Sequence, residues 1–250
     1  MKIIAIIPAR MAVTRFPNKP LALIGGLPMI EHVRRRVALC KLLSDVIVAT
    51  CDQEIMDVVI QNGGKAVMTS NQHERCTDRV AEAAAHYKAD IIVNVQGDEP
   101  LIHPRMIEEV VGPLLENLTL PCSNLMTRIV DHQEFKDVNA VKVVCDLESN
   151  LLYASREAIP SFSKAGSTDY AKWKQLGIIA FKNDFLQIFS KLAPTPLEII
   201  ESVDMNRALE HGYKIRMVET TGRMIGVDIP EQVKGIEELL AKDPLVKNYM

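Results

Sequence analysis

The stretch Ile91-Ile-Val-Asn-Val-Gln-Gly-Asp-Glu-Pro100 decides the fold. A run this apolar and β-branched reads as a strand covered on both faces, which is the signature of a parallel sheet held between helix layers. The Gln-Gly turn that ends it delivers Asp98 and Glu99 at the carboxyl end of the strand, where open α/β sheets place their ligands. Working backwards, Ile3–Ile7, Val46–Ala49 and Lys65–Met68 read as further strands, separated by helix-like segments near Met29–Cys40, Gln53–Gln61 and Thr77–His86. Strand and helix in alternation predict βαβ units with right-handed crossovers.

Beyond Pro100 the rhythm loosens. Cys122–Ile129, Ala140–Cys145, Leu151–Ala154 and the Gly177–Phe181 run read as strands, and Ser161–Asp169, rich in Ser, Gly and Lys, as a mobile, lid-like insertion. Helices near Asp184–Lys191 and Leu197–Glu210, a strand at Lys214–Val218 and a terminal helix over Pro230–Lys242 complete the pattern. With no linker, repeat or low-complexity tract, the expectation is one domain over residues 1–250 with approximate subregions 1–120, 121–222 and 223–250.

Composition narrows the partners. A chain of 250 residues that is 48% hydrophobic can bury a substantial core, and a net charge of -3 argues against a general nucleic-acid surface. The apolar run Met1–Ile7 is too short for a signal segment or a membrane span, and no other stretch reaches spanning length. The five cysteines, Cys40, Cys51, Cys76, Cys122 and Cys145, lack zinc spacing, and the expectation is a reduced, cytoplasmic chain with no membrane and no nucleic-acid partner.

Directly after the first strand comes Pro8-Ala-Arg-Met-Ala-Val-Thr-Arg-Phe-Pro-Asn-Lys-Pro-Leu21, with Arg10, Arg15 and Lys19 packed into ten residues. Three cations at the mouth of a parallel sheet suit a triphosphate. Pro8, Pro17 and Pro20 stiffen the segment, which fits a preorganised site better than a solvated basic turn. The Gly-x-x-x-x-Gly-Lys-Ser/Thr loop and the dinucleotide fingerprint are both missing here. Mg2+ takes one or two carboxylates plus phosphate oxygens, and Asp98 is the preferred ligand. Asp228, in Gly226-Val-Asp-Ile-Pro230, reads equally as a helix N-cap or as a second ligand. His73 reads as a polar side chain of a turn before it reads as a ligand contact, and Arg34-Arg-Arg36 as the solvated face of a helix.

Taken together, Pro-Ala-Arg followed by Arg15-Phe-Pro-Asn-Lys-Pro-Leu21, the Gln96–Pro100 turn, Asn139–Val144, Ser155–Pro160 and Gly226–Val233 resemble the 3-deoxy-manno-octulosonate (KDO) cytidylyltransferases, essentially end to end. The resemblance implies a Rossmann-like, GT-A-like nucleotidyltransferase fold, a three-layer α/β sandwich with a mainly parallel central sheet and a lid or dimerisation insertion. It implies CTP and Mg2+, transfer of CMP to an acidic sugar with release of pyrophosphate, a homodimer, and a place in lipopolysaccharide biosynthesis. Residue by residue, Lys19, Asp98 and Asp228 would be catalytic, and Asp98 and Asp228 would hold the metal. Arg10, Arg15, Lys19, Thr77 and Gln96 would bind the nucleotide, and Arg156, Gln175, Asp204 and Met205 the acceptor.

The chain departs from the family pattern in places. His73-Glu-Arg-Cys-Thr-Asp-Arg79 has Arg75 and Cys76 where the family commonly shows Ser-Gly; Cys51 interrupts Ala49-Thr-Cys-Asp52; Asn18 replaces a Gly; Gln175 replaces a His; and Met205 replaces a polar residue. These changes lie more on the acceptor side than on the phosphate side. They leave open a different acidic acceptor, such as a phosphonate or a modified ulosonic acid, and a nucleotide-binding regulatory protein without turnover.

Overall fold

The computed structural model describes residues 1–11, 16–166, 170–222 and 224–250. In chain order the elements are β1 (Ile3–Ala9), a 3-10 turn at Lys19–Leu21, the two-residue strands β2 (Leu23–Ile24) and β3 (Leu27–Pro28), α1 (Met29–Ala38), β4 (Asp45–Thr50), α2 (Gln53–Gln61), β5 (Lys65–Met68), α3 (Cys76–Ala84), β6 (Ile91–Val95) and α4 (Pro104–Glu116). There follow β7 (Cys122–Arg128), α5 (His132–Lys136), β8 (Lys142–Cys145), β9 (Leu151–Ser155), β10 (Trp173–Lys182), α6 (Asn183–Phe189), α7 (Pro196–Glu201), α8 (Met205–Glu210) and β11 (Ile215–Glu219). The chain closes with a 3-10 turn at Pro230–Gln232, α9 (Val233–Leu240) and a last 3-10 turn at Pro244–Asn248. It divides into two compact units, Met1–Glu108 with Gly222–Met250, and Glu109–Thr221.

The first unit carries the expected parallel sheet. Its strands run β6-β1-β4-β5, with Ile6 of β1 registered against Ile47 on one side and Asn94 on the other. Every residue of β1 and β6 is buried, as apolar β-branched runs covered on both faces require. The edge strand β5 leaves Lys65 and Met68 exposed. Helices α1, α2 and α3 pack on these strands. A smaller apolar cluster of Ile24, Met29, Val227, Ile236 and Leu240, with Phe16, Ala22 and Leu101 at its margin, gathers the loops that follow β1 and β6 and the segment before α9. Each aliphatic side chain buried there contributes about 1.5–3 kcal/mol of transfer free energy.

The run Arg34–Arg36 is not the solvated face its sequence suggests. Arg34 and Arg35 both clasp the buried carboxylate of Glu31, and the Arg36 side chain is only 2% exposed. Three consecutive helical residues point in directions about 100° apart, so they cannot all share one face; Arg34 and Arg35 share Glu31, and Arg36 turns to Asp243.

The second unit holds a mixed sheet, β11-β7-β10-β8-β9, in which β11 and β7 are parallel and the other pairs antiparallel. β10 begins well before Gly177 and carries an irregularity between Gln175 and Ile179. The amide nitrogen of Asn124 pins it by donating to the carbonyls of Leu176 (2.8 Å) and Ile178 (2.9 Å). The single helix expected over Leu197–Glu210 is two, because Ser202 turns into the left-handed region at φ 52° and ends α7. The loop Ser161–Gly166 has no helix or strand, and residues 167–169 lie outside the described residues.

Candidate active site

Lys19 is placed by the turn that follows Pro17. Asn18 sits at φ 59°, ψ 21°, the left-handed conformation a glycine adopts freely and asparagine tolerates better than most residues. That is the physical reason an Asn can stand where the resembled motif has Gly. The Leu21 amide donates to Asn18 O at 2.9 Å and the Lys19 amide to Phe16 O at 3.2 Å, so the backbone on either side of Lys19 is fixed. At the start of the same loop the Asp52 carboxylate accepts the Met11 amide at 2.8 Å.

The Lys19 side chain is 7% exposed, and its Nζ donates to Asp98 Oδ2 at 2.7 Å and to Asp228 Oδ1 at 3.3 Å. Asp98 arrives from the end of β6. At Gly97, just before it, a Cβ would lie 3.0 Å from Pro8 O, so the exits of β6 and β1 approach as closely as they do because residue 97 has no side chain. Asp228 is tied to the same place through the backbone, since the Val227 amide donates to Asp98 O at 3.1 Å. Asp228 is not the cap of the turn that follows, whose N-cap position is Ile229. The amides of Asp228 and Ile229 donate instead to Gln232 Oε1, at 2.6 and 3.2 Å, and the Asp228 carboxylate faces Lys19.

Three residues separated by up to 209 positions thus converge on one point. The two carboxylates keep side-chain exposures of 35% and 50%, so they face solvent, while the lysine between them does not. No cluster of three His, Cys, Asp or Glu fit to hold a metal occurs among the described residues. A pair of half-exposed carboxylates is nevertheless the donor set Mg2+ uses when phosphate oxygens and water complete its shell.

Pro8, Ala9, Arg10, His73, Glu74, Arg75, Cys76 and Arg79 line a pocket of about 50 Å3. Arg10 is exposed there, whereas Thr77 is buried and Gln96 half-buried. His73 is hydrogen-bonded to Glu82, and buried Arg79 donates to Thr69 Oγ1, so the altered 73–79 turn is braced from behind. Burial acts to raise the Glu82 carboxyl, but the hydrogen bonds from His73 and the Ser70 amide outweigh it and hold the group below its ordinary value. Arg15 lies outside the described residues.

The expected acceptor residues belong to the second unit, and they differ in how far they are committed to the chain's own structure. Met205 is 0% exposed and packs in the core, which a thioether suits well. The Arg156 guanidinium donates to the carbonyls of Glu201 (2.7 Å), Val138 (2.9 Å) and Ser202 (3.2 Å), which takes three of its five N–H groups. Glu201 and Lys142 make this a fixed corner. Glu201 accepts from Tyr153 Oη (2.6 Å), Ser155 Oγ (2.7 Å) and the Arg156 amide (2.8 Å), and buried Lys142 Nζ donates to the carbonyls of Asp137, Ala140 and Arg156. Burial lowers the Lys142 pKa. Gln175 and Asp204 remain half-buried.

Lys19 in a loop at one strand end, facing Asp98 from the neighbouring strand end and Asp228 from the segment before α9, fits an α/β nucleotidyltransferase. Residues 4–215 match the family model described as Cytidylyltransferase. The chain is 46% identical over 251 residues to a 3-deoxy-manno-octulosonate cytidylyltransferase of Geobacter metallireducens, covering 97% of this chain and 99% of the relative. It is 46% identical over 249 residues to the protein of that name from Geobacter sulfurreducens, covering 96% and 100%. A solved CMP:2-keto-3-deoxy-manno-octonic acid synthetase, complexed with CTP, superposes with a TM-score of 0.91 at 37% identity over 97% of this chain and 99% of that one. A 4-diphosphocytidyl-2C-methyl-D-erythritol synthase from Anaerococcus prevotii, at 15% identity and a TM-score of 0.63 over 96% of this chain and 98% of its own, shares the fold. The chain belongs to the cytidylyltransferase family, on the branch of the 3-deoxy-manno-octulosonate enzymes.

Proposed function

We propose that this protein transfers CMP from CTP to 3-deoxy-manno-octulosonate, releasing pyrophosphate, in a Mg2+-dependent reaction. The observation that carries the reading is the Lys19 ammonium held between Asp98 and Asp228 at the mouth of the parallel sheet. Near-complete coverage of relatives that bear this activity in their names supports it.

On this reading Lys19 and Arg10 neutralise and orient the triphosphate, with Arg15 assigned to the same task from the sequence. Asp98 and Asp228 would hold the metal, and Thr77, itself buried, and Gln96 are assigned to the nucleotide from the sequence. The ion, when bound, offsets the negative charge that builds on the phosphate oxygens as pyrophosphate departs. The anomeric hydroxyl of the sugar attacks the α-phosphorus in line with the leaving pyrophosphate. Alignment and charge neutralisation carry the catalysis, with no covalent enzyme intermediate. Gln175, Asp204 and Arg156 keep the acceptor role assigned to them from the sequence, and Met205, fully buried, supports the core of its own unit.

A cytoplasmic location is part of the reading. None of the five cysteines is in a disulfide, and no helix among the described residues is long and apolar enough to cross a membrane. A homodimer is part of it too, for which the exposed Leu152, Ile199 and Ile200 offer apolar surface. The direct test is pyrophosphate release from CTP and Mg2+ with a panel of 3-deoxy-ulosonic acids. Release with 3-deoxy-manno-octulosonate is expected; silence across the panel rejects the assignment.

A further inference from the structure

Asp98 and Asp228 leave different segments, and their spacing is only as firm as whatever ties those segments together. The Val227–Asp98 backbone bond is one tie. Arg36 supplies the other. Its Nε donates to Ile102 O at 2.7 Å and its Nη2 to Leu101 O at 3.2 Å, gripping the loop that begins at Asp98. Its Nη1 donates to Asp243 Oδ2 at 2.6 Å, gripping the chain just past α9, the helix that Asp228 leads into.

The surroundings make this a locked joint. Asp243 is engaged on its other oxygen by the Leu245 amide (2.9 Å), and the Ile102 amide closes the turn back to Glu99 O (3.0 Å). The Tyr249 ring lies 5.6 Å from the guanidinium carbon, Arg35 donates to Tyr249 O at 3.0 Å, and His32 is hydrogen-bonded to Tyr249 Oη at 3.0 Å, so the C-terminal turn covers the joint. Leu101 packs on the same apolar cluster as Val227 and Leu240. A planar fork with all three nitrogens bonded fixes direction as well as distance, which a single-point ammonium cannot do.

We infer that Arg36 is a positioning residue for the reaction: through Leu101, Ile102 and Asp243 it sets the separation of the Asp98 and Asp228 carboxylates, and the C-terminal segment Asp243–Met250 is part of the active-site scaffold. The inference rests on the metal reading above. Partners one shell out from a metal ligand typically carry a ten- to hundredfold effect on metal affinity when removed, because the ligands lose their orientation.

The test is an electron paramagnetic resonance titration of Mn2+ into the CTP-saturated protein, with the melting temperature recorded alongside. Arg36→Met is expected to weaken Mn2+ binding by about tenfold or more. Arg34→Met, which breaks a neighbouring ion pair of the same helix, is expected to lower the melting temperature and leave Mn2+ affinity unchanged. Arg36→Lys, keeping the charge toward Asp243 but losing the fork, is the second variant should the methionine fail to fold; it is expected to weaken the ion less. In an Asp98→Asn background Arg36→Met is expected to add little, since coupled residues are not additive. Unchanged Mn2+ affinity in both Arg36 variants, or a fully additive double variant, overturns the inference while leaving the metal reading intact. A wild-type protein that takes up no Mn2+ with CTP overturns the metal reading and the inference with it.

Discussion

Two charge clusters, one in each unit, use their charged residues in opposite ways, although the first unit also has saturated pairs such as Arg36 with Asp243. In Met1–Glu108 with Gly222–Met250, a buried lysine faces two half-exposed carboxylates at a strand-end mouth, and Arg10 is left exposed nearby. In Glu109–Thr221, Arg207 is locked onto Glu198 by two hydrogen bonds of 2.8 and 2.6 Å with both side chains buried, Lys142 is turned onto backbone carbonyls, and Arg156 is absorbed by the corner it braces. Charges that converge while still facing water are available to a ligand. Charges that are buried and saturated are structure, and removing one leaves its partner stranded. The difference separates chemistry from architecture among residue types that look alike in sequence.

Substitutions on either side sharpen the contrast. The largest effect expected is on turnover. Asp228→Asn, isosteric and neutral, should lower kcat by at least about a hundredfold, as expected when a ligand of a catalytic ion is lost, with a melting temperature near that of wild type. Pyrophosphate release and thermal melting on the same sample check it. Breaking the second unit should do the reverse in kind: Arg207→Met strands buried Glu198 and should cost about 3–5 kcal/mol of stability, measured by denaturant unfolding. Lys19→Ala should raise the KM for CTP by about tenfold, equivalent to about 1.4 kcal/mol of binding, as seen in initial rates against CTP concentration.

The smallest effect expected is a pH dependence at His32. Burial is the largest influence on it and, with Arg36 and Arg35 nearby, holds its pKa below the ordinary 6.5. The ring donates from Nε2 to Ile24 O at 2.7 Å and accepts from Tyr249 Oη at Nδ1, which is the neutral form. As pH falls below about 6.5 the unfolded chain takes up a proton that the folded chain refuses, so stability present above that pH is lost by up to about 1.4 kcal/mol per pH unit. Melting temperatures from pH 7.5 to 5 should fall less steeply in His32→Gln than in wild type.

Much of the first unit was legible because its strands are β-branched, apolar and closed by turn residues; α2 and the strands β5 and β6 run over the very residues the pattern marks. Helix α4 was missed because Gly112-Pro113 lies inside it and reads as a break. Lys19, Asp98 and Asp228 were recognisable as a set through motif order and charge chemistry. Asp52, which holds the Met11 amide, was visible only as part of an altered motif, because its role is to brace a backbone group. Arg36 was read as solvated because its partners, Asp243 and two carbonyls, are 65 or more positions away and leave no local pattern. Met205 was read as a sugar contact from motif position alone, and its full burial is a property that position does not carry.

The most direct measurement is a crystal structure of the protein soaked with CTP and Mg2+. The account predicts an ion with oxygens of both Asp98 and Asp228 at about 2.0–2.1 Å, phosphate oxygens in its remaining shell, and Lys19 against the triphosphate. A nucleotide bound elsewhere, with Lys19 still bridging the two carboxylates and no ion between them, would contradict it.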